Sequence, residues 1–131
     1  MNRTLVNSPD LSTPSGHFSQ AIAVESPGRL LFISGMTARL PDGSVTGVGD
    51  IVAQTRQVCD NLQAVLETAG GTLGDVVRVD VYVRNVEHFD QIHAVRRSYF
   101  SDPPPASTML EVSKMVHPDM LIEINAIAAL P

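Results

Sequence analysis

The sequence predicts an α+β two-layer sandwich, in which a mixed sheet carries two helices on one face. Two observations predict this fold class. Short segments alternate apolar and polar residues, as strands do, and two longer segments repeat their apolar residues every three or four positions, as amphipathic helices do. The segments occur in the order two strands, helix, strand, helix and two strands, which favours helices packed on one face of one sheet.

The N-terminal segment is polar and is broken by Pro9, Pro14 and Gly16, so we expect a loop there with a short edge strand. Two strands follow at residues 19–24 and 29–35, separated by the turn sequence ESPG. A second turn sequence, LPDGSV, indicates a tight connection.

An amphipathic helix is predicted over residues 50–69. Asp50 is a suitable N-cap, and Gly70–Gly71 provides the left-handed residue that commonly ends a helix. The apolar face consists of Ile51, Thr55, Val58, Leu62, Val65 and Ala69, widened by Val52, Cys59 and Leu66.

The next strand covers residues 75–85 and alternates throughout its length, so its valines are expected on one face. A second helix is predicted at 87–100, and Pro103–Pro105 prevents its continuation. Strands at 108–112 and 120–128 are the last two predicted elements. In the strand at 75–85, the valines expected on one face are Val77, Val79, Val81 and Val83.

The last strand has one face that helices could cover and one that is apolar but carries two polar residues. A half-apolar sheet face is rarely left bare in a small protein, so we expect a second sheet to cover it, often from another copy of the chain. The first face contains Ile122, Ile124, Ala126 and Ala128, and the second contains Leu121, Glu123, Asn125 and Ile127.

Composition limits the possible functions of the chain. Its 131 residues are expected to form a single domain over residues 1–131, and the net charge of −5 argues against a nucleic-acid or anionic-membrane surface. No segment has the length of a signal peptide or membrane span, and the single cysteine, Cys59, is expected to be reduced and buried, so we expect a cytoplasmic protein.

Common catalytic and metal-binding motifs do not occur in the sequence, so we expect no metal and no cofactor. His88 and His93 lie five residues apart on one predicted helix, a spacing that does not direct both rings at one ion. His93 is predicted to be a partly buried, hydrogen-bonded ring at the core edge, with ligand contact as the alternative. Arg96 and Arg97 are predicted to be solvated, with an anion-facing pair as the alternative.

Several segments in a fixed order resemble the RidA (YjgF) family of small trimeric proteins, many of which hydrolyse reactive enamines and imines. The match runs from GHFSQA to EINAIA. It includes LFISGMTA with the pair Ser34–Gly35, AQTRQVCDNLQAVLETAGGTLGDVVRVDVYV, HFDQIHAVRRSYF, PPASTMLEV and HPDMLIEINAIA.

The resemblance implies a chorismate-mutase-like fold of the two-layer type described above. It also implies a homotrimer whose sheets form a central barrel, with small-molecule clefts between subunits. This assembly agrees with the expectation that the second sheet face needs a covering.

The resemblance also implies a set of substrate-binding positions, although several carry unusual residues here. Ser107 stands where the deaminating members have an arginine that binds the substrate carboxylate, and Asn125 replaces an acid that orients water. Phe18 replaces a tyrosine, His93 an asparagine, and Met109 a frequent cysteine. The catalytic residues are therefore unknown. The full substrate-binding set is Ser34, Gly35, Ser107, Met109, Asn125, Phe18 and His93, and Glu111 also keeps its family identity.

The function implied by the resemblance is a hydrolytic enamine/imine deaminase that releases ammonia, with altered substrate specificity. Ser107 offers a neutral hydrogen bond where arginine would offer two charge-assisted ones. The substrate would therefore lack an α-carboxylate, or Arg96 or His93 would bind that group. The alternative is a non-catalytic, small-metabolite-binding or regulatory trimer, because an asparagine at position 125 cannot accept a proton. The acidic charge argues against ribonuclease activity, the family's other reported role.

Overall fold

The computed structural model describes residues 2–25 and 28–131, so the predicted ESPG turn lies partly outside the described residues. This part of the chain contains two α-helices and six β-strands. They are β1 (Asn2–Val6), β2 (Ala21–Glu25), β3 (Arg29–Met36), α1 (Ile51–Thr68), β4 (Val76–Val83), α2 (Phe89–Tyr99), β5 (Ala106–Glu111) and β6 (Ile122–Leu130). No helix among these residues is long and apolar enough to cross a membrane.

Strands β3, β6, β4 and β5 form a four-stranded sheet in that order. β6 runs antiparallel to both of its neighbours, whereas β4 and β5 are parallel. α2 makes the crossover that a parallel pair requires. The predicted mixed sheet is therefore confirmed, and β5 forms one of its edges. β1 and β2 form a separate antiparallel pair, which places the expected N-terminal edge strand at β1.

Both helices cover the same face of the four-stranded sheet, as the sequence predicts. Their buried residues belong to one apolar cluster with the inward residues of the strands. Burial of this surface, at roughly 25 cal/mol per Å², is the main force that holds the two layers together. The cluster includes Val58, Leu62, Leu66 and Ile92 from the helices, and Val79, Val81, Ile122 and Ile124 from the sheet.

The ends of α1 follow the capping pattern of the sequence. The Asp50 side chain accepts a hydrogen bond from the Ala53 backbone N–H at 3.0 Å, and Gly70 has the left-handed φ of +85° beyond the helix end. Within the helix, the buried Gln54 amide donates to the Asp119 carbonyl and accepts from the Leu121 N–H. This amide fixes the start of β6 against α1.

The predicted alternation of β4 is wrong at its first residues. A register shift between Val76 and Arg78 turns Val76 into the core, while Val77 is only half-buried. Such a bulge inserts one residue against the partner strand and interrupts the two-residue period. The predicted start of the next strand is also wrong, because β5 begins at Ala106, which pairs with both Arg78 and Ser19.

The sheet face opposite the helices is uncovered and carries large apolar side chains. Phe32 is 71% exposed, and Leu30 and Leu110 are each 54% exposed. The half-buried Asn125 lies on this face. The open face therefore has the mixed character that the sequence indicates.

Replacing Leu62 with alanine tests the core. Leu62 is fully buried between α1 and the sheet, so we expect the variant to lose about 2–5 kcal/mol of unfolding free energy in denaturant titration. The control is Leu11→Ala at an exposed leucine, with an expected change of about 0.5 kcal/mol or less. Equal effects of the two substitutions at one protein concentration would contradict the assigned core.

Candidate functional site

The register of β4 with its two neighbours divides the expected site residues between the faces of the sheet. Val79 is the pairing partner of both Ser107 in β5 and Ala126 in β6, while Asp80 is the partner of Asn125. Successive residues of a strand point to opposite faces. Ser107 therefore lies on the helix-covered face, and Asn125 lies on the open face.

On the open face, Ser34 and Asn125 line one recess of about 320 Å³ together with Asp80. The Asn125 amide oxygen accepts a hydrogen bond from the Asp80 backbone N–H at 3.2 Å, which leaves the amide NH₂ available as a donor. Phe32 and Ile127 contribute apolar walls. The recess thus combines a hydroxyl, an amide and a carboxylate beside exposed apolar surface.

Asp80 is a residue of this recess that sequence reasoning missed. Its carboxylate lies 2.6 Å from the Arg78 guanidinium, which also donates to the Thr108 hydroxyl at 2.8 Å. The Asp80 side chain is one-third exposed. Alternation in β4 assigns Asp80 to the polar face, but only the pairing of β4 with β6 shows that it lies directly beside Asn125.

Gly35 lies where the pairing of β3 with β6 is interrupted, between Ile33 and Met36. A Cβ atom at Gly35 would collide with the Glu123 carboxylate. The absence of a side chain lets Glu123 lie directly against β3 and leaves the neighbouring Ser34 exposed in the recess. Ser34 therefore lies in the same recess as Asn125, and Gly35 beside it gives Glu123 room against β3.

The N-terminal loop is hydrogen-bonded to the segment that leads into β5. The Ser19 N–H donates to the Pro105 carbonyl at 3.1 Å, and His17 Nε2 lies 2.8 Å from the Phe100 carbonyl oxygen. Phe18, between these two residues, is half-buried and lines a cavity of about 290 Å³ formed by the loop. Phe18 therefore does not line the recess of Ser34 and Asn125 within one chain.

His93 is a buried, hydrogen-bonded ring, which confirms that part of its prediction, although it is more buried than expected at 3% exposure. Nδ1 lies 2.9 Å from the Phe89 carbonyl, and the ring stacks on Phe89 with centroids 3.9 Å apart. Nε2 faces Gly16 so closely that a Cβ there would collide. Burial lowers the pKa of His93, and the hydrogen bond to Phe89 offsets only part of that effect.

The prediction that Arg96 is solvated is wrong. Arg97 is exposed, but Arg96 is only 1% exposed, because it lies three residues after His93 on the buried face of α2. Its Nη2 donates to Ser107 Oγ at 3.1 Å, and its buried Nε has no hydrogen-bond partner. Burial lowers the Arg96 pKa to about 10, which leaves the side chain cationic at neutral pH.

The two remaining positions of β5 have structural contacts. Met109 is half-buried and packs against the core cluster from the edge strand β5. The Glu111 carboxylate accepts a hydrogen bond from the Val86 N–H at 3.1 Å and fixes the turn that leads into α2. Within the described ranges, no three histidine, cysteine, aspartate or glutamate side chains are placed to share a metal ion.

Comparison with known proteins adds to this geometry. Residues 9–130 match the family model described as Endoribonuclease L-PSP. A RutC family protein of Pyrococcus horikoshii is 43% identical over 115 residues, which cover 88% of each chain.

Solved structures show the same similarity. A Rid-family protein of unknown function from Yersinia pestis, YyfB, has a TM-score of 0.83 and 38% identity over 99% of this chain and 100% of its own. RidA from an Antarctic Psychrobacter has a TM-score of 0.74 and 27% identity over 97% and 99% of the two chains. The chain therefore belongs to the Rid family, which includes the RidA, YjgF and RutC proteins.

Proposed function

We propose that this protein is an enamine/imine deaminase that hydrolyses a C=N bond and releases ammonia, with a substrate range set by Ser107 and its neighbours. The observation that carries the proposal is the recess of Ser34, Asp80 and Asn125 on the open sheet face. These polar side chains can hydrogen-bond an attacking water. The family membership of the chain also supports the proposal.

The proposed reaction needs little covalent chemistry from the protein. The enamine takes a proton on carbon to become an imine, water adds to the imine carbon, and the resulting aminol expels ammonia and leaves a carbonyl. The free NH₂ of Asn125 can hold the water oxygen, but an amide cannot accept the proton. In our proposal the adjacent Asp80 carboxylate accepts it, which restores the general-base assistance that Asn125 lacks.

We also propose that the working cleft forms between copies of the chain in a homotrimer. Ser107 and Asn125 lie on opposite faces of one sheet, so a small ligand cannot contact both within one chain. β5 is an edge strand, which puts Ser107 near the rim, and the open face carries the exposed Phe32, Leu30 and Leu110. Burying that face against another copy would bring the recess of one chain to the edge of the next.

A second candidate function is a non-catalytic, small-metabolite-binding or regulatory trimer. The close pairing of Asp80 with Arg78 at 2.6 Å favours it, because the guanidinium occupies Oδ1 and leaves fewer carboxylate lone pairs free to contact a water. The two candidates differ in one measurable property. A binding protein would be stabilised by a metabolite that it leaves chemically unchanged.

Asp80→Asn tests the deaminase assignment. We expect the wild-type protein to accelerate ammonia release from at least one member of an enamine panel, measured with a coupled glutamate dehydrogenase assay. The variant should lose about 10²–10⁴-fold in that rate, because the amide cannot take the proton.

The matched control for Asp80→Asn is Asp90→Asn, which makes the same change at an exposed residue of α2 and should leave the rate unchanged. No acceleration above buffer by the wild-type protein, for any panel member, would exclude the deaminase assignment. An active Asp80→Asn variant would exclude Asp80 as the base.

Phe32→Glu tests the assembly. A charge at this exposed position would be buried without a partner if the open face is covered, so we expect the mass to fall from three times 14.1 kDa to that of one chain. Light scattering after size exclusion measures it. Val48→Glu, at an exposed valine in the loop before α1, is the control and should keep the assembled mass. A single-chain mass for the wild-type protein would contradict the proposal.

His93→Asn tests the state of the buried ring. Because the folded-state pKa of His93 is lowered, the unfolded chain binds more protons, and stability is lost as the pH falls below the ordinary histidine value near 6.5. We expect the variant to show a shallower decrease of melting temperature between about pH 7 and pH 5 than the wild-type protein. Gln91→Asn, at an exposed residue of the same helix that carries no titratable group, should keep the wild-type slope. Identical slopes for His93→Asn and the wild-type protein would show that His93 is not the group responsible.

A further inference from the structure

Residues 9–18, called the covering loop below, lie against the first half of α2. The contact is made by the backbone of Gly16, where an added Cβ atom would lie 2.5 Å from Nε2 of His93 and 3.0 Å from Cζ of Phe89. Gly16 does not have a left-handed φ, so close packing rather than backbone conformation requires a glycine here. The loop backbone and the two stacked rings of α2 are therefore in direct contact.

The covering loop is closed at its base and held by little at its tip. At the base, the Ser8 N–H donates to the Gln20 side-chain oxygen at 2.9 Å. The tip consists of residues 14–18, and its one hydrogen bond to other residues of the described chain is from His17 Nε2 to the Phe100 carbonyl oxygen, at 2.8 Å. The tip can therefore separate from α2 while the base stays closed.

The one hydrogen bond of the His93 ring determines where that ring takes up a proton. Nδ1 lies 2.9 Å from the Phe89 carbonyl oxygen, which can only accept, so Nδ1 carries the hydrogen of the neutral ring. Nε2 is then the unprotonated nitrogen, and Nε2 is the atom that faces Gly16. A proton on Nε2 is therefore placed against the methylene group of Gly16, which offers no acceptor.

The charged and titratable groups that face His93 oppose its protonation. They are Arg96 and Arg97 on α2 and His17 on the covering loop. Burial is the main cause of the lowered pKa of His93, these three groups lower it further, and only the hydrogen bond to Phe89 raises it. Among the described residues, no titratable group of α1 or of the sheet shifts this pKa. A charged His93 ring beneath the closed loop thus has no counter-ion.

We propose that the covering loop is a pH-operated lid, which opens when Nε2 of His93 takes up a proton. Opening moves Gly16 away from the ring, so that water can accept the new Nε2–H and can screen the ring from the nearby cations. It also exposes the stacked rings of α2 and takes apart the cavity that Phe18 lines. The inference concerns the loop alone and does not depend on the proposed deaminase activity.

The direction of the pH dependence follows from the state of the ring beneath the loop. The closed loop lowers the pKa of His93, and opening returns that pKa toward the ordinary histidine value near 6.5. The open form therefore binds more protons than the closed form. The ratio of open to closed loop rises as the pH falls below about 6.5, by at most about tenfold per pH unit, because one proton is taken up.

NMR of the full chain follows the opening through the Phe18 amide, which donates to the Gly16 carbonyl at 3.0 Å. We expect the ¹H–¹⁵N signal of Phe18 to move between about pH 7.5 and pH 5. It should move toward the position that it has in Gly16→Ala, where the added Cβ keeps the loop open at every pH. The signals of Val79 and Val81, in the core, should stay at their native positions, which shows that the sheet remains folded.

Two further variants separate the His93 ring from the rest of the loop. His93→Gln should keep the Phe18 signal at the closed position over the whole range, because an amide does not titrate. Ser15→Ala, the matched control for Gly16→Ala at an exposed neighbour, should keep the wild-type titration. A wild-type Phe18 signal that does not move with pH, or one that moves equally in His93→Gln, overturns the proposal.

A second measurement keeps the proposal testable if His93→Gln fails to fold. The ring ¹H–¹³C signals of the wild-type histidines give the titration midpoint of each ring, and the signal of His93 is assigned by its contact with the Phe89 ring. The Phe18 amide and the His93 ring should share one midpoint. A Phe18 midpoint that coincides with that of His17 and differs from that of His93 overturns the proposal.

Discussion

The pairing of β4 with β5 on one side and β6 on the other is the constraint on which the rest of the structure depends. It sets Val79 beside Ser107 and Asp80 beside Asn125, and the strand period of two then sends these neighbours to opposite faces. A shift of one residue in either pairing would move Ser107 away from Arg96 or Asn125 away from Asp80. The helix layer stabilises this register, because the inward side chains of the strands are buried in one apolar cluster with those of α1 and α2.

Ser107 and Asn125 are both neutral side chains, and each of them lies beside a charged residue. Ser107 lacks a charge, and the guanidinium of Arg96 lies 3.1 Å from its hydroxyl. Asn125 lacks a base, and the carboxylate of Asp80 lies across the β4–β6 pairing, in the same recess. In each case the neutral side chain is hydrogen-bonded to its charged neighbour or to that neighbour's backbone.

Sequence patterns predicted most of the fold because those patterns are local. The apolar repeat of α1, its Asp50 cap and Gly70 are all confirmed, as is the division of β6 into a covered and an open face. The bulge at Val76 was not predictable, because it depends on the partner strand. Arg96 was misjudged for a related reason: a charged residue next to another arginine is usually solvated, and only the packing of α2 against β5 shows otherwise.

We propose above that the Asp80 recess works in a cleft that another copy of the chain completes. Leu30→Glu tests this proposal most directly, because Leu30 is exposed on the open face and does not line the recess. We expect the wild-type protein to release ammonia at three times 14.1 kDa, and Leu30→Glu to lose both the assembled mass and the activity together. A Leu30→Glu variant with the mass of one chain and the wild-type rate of ammonia release would contradict the proposal.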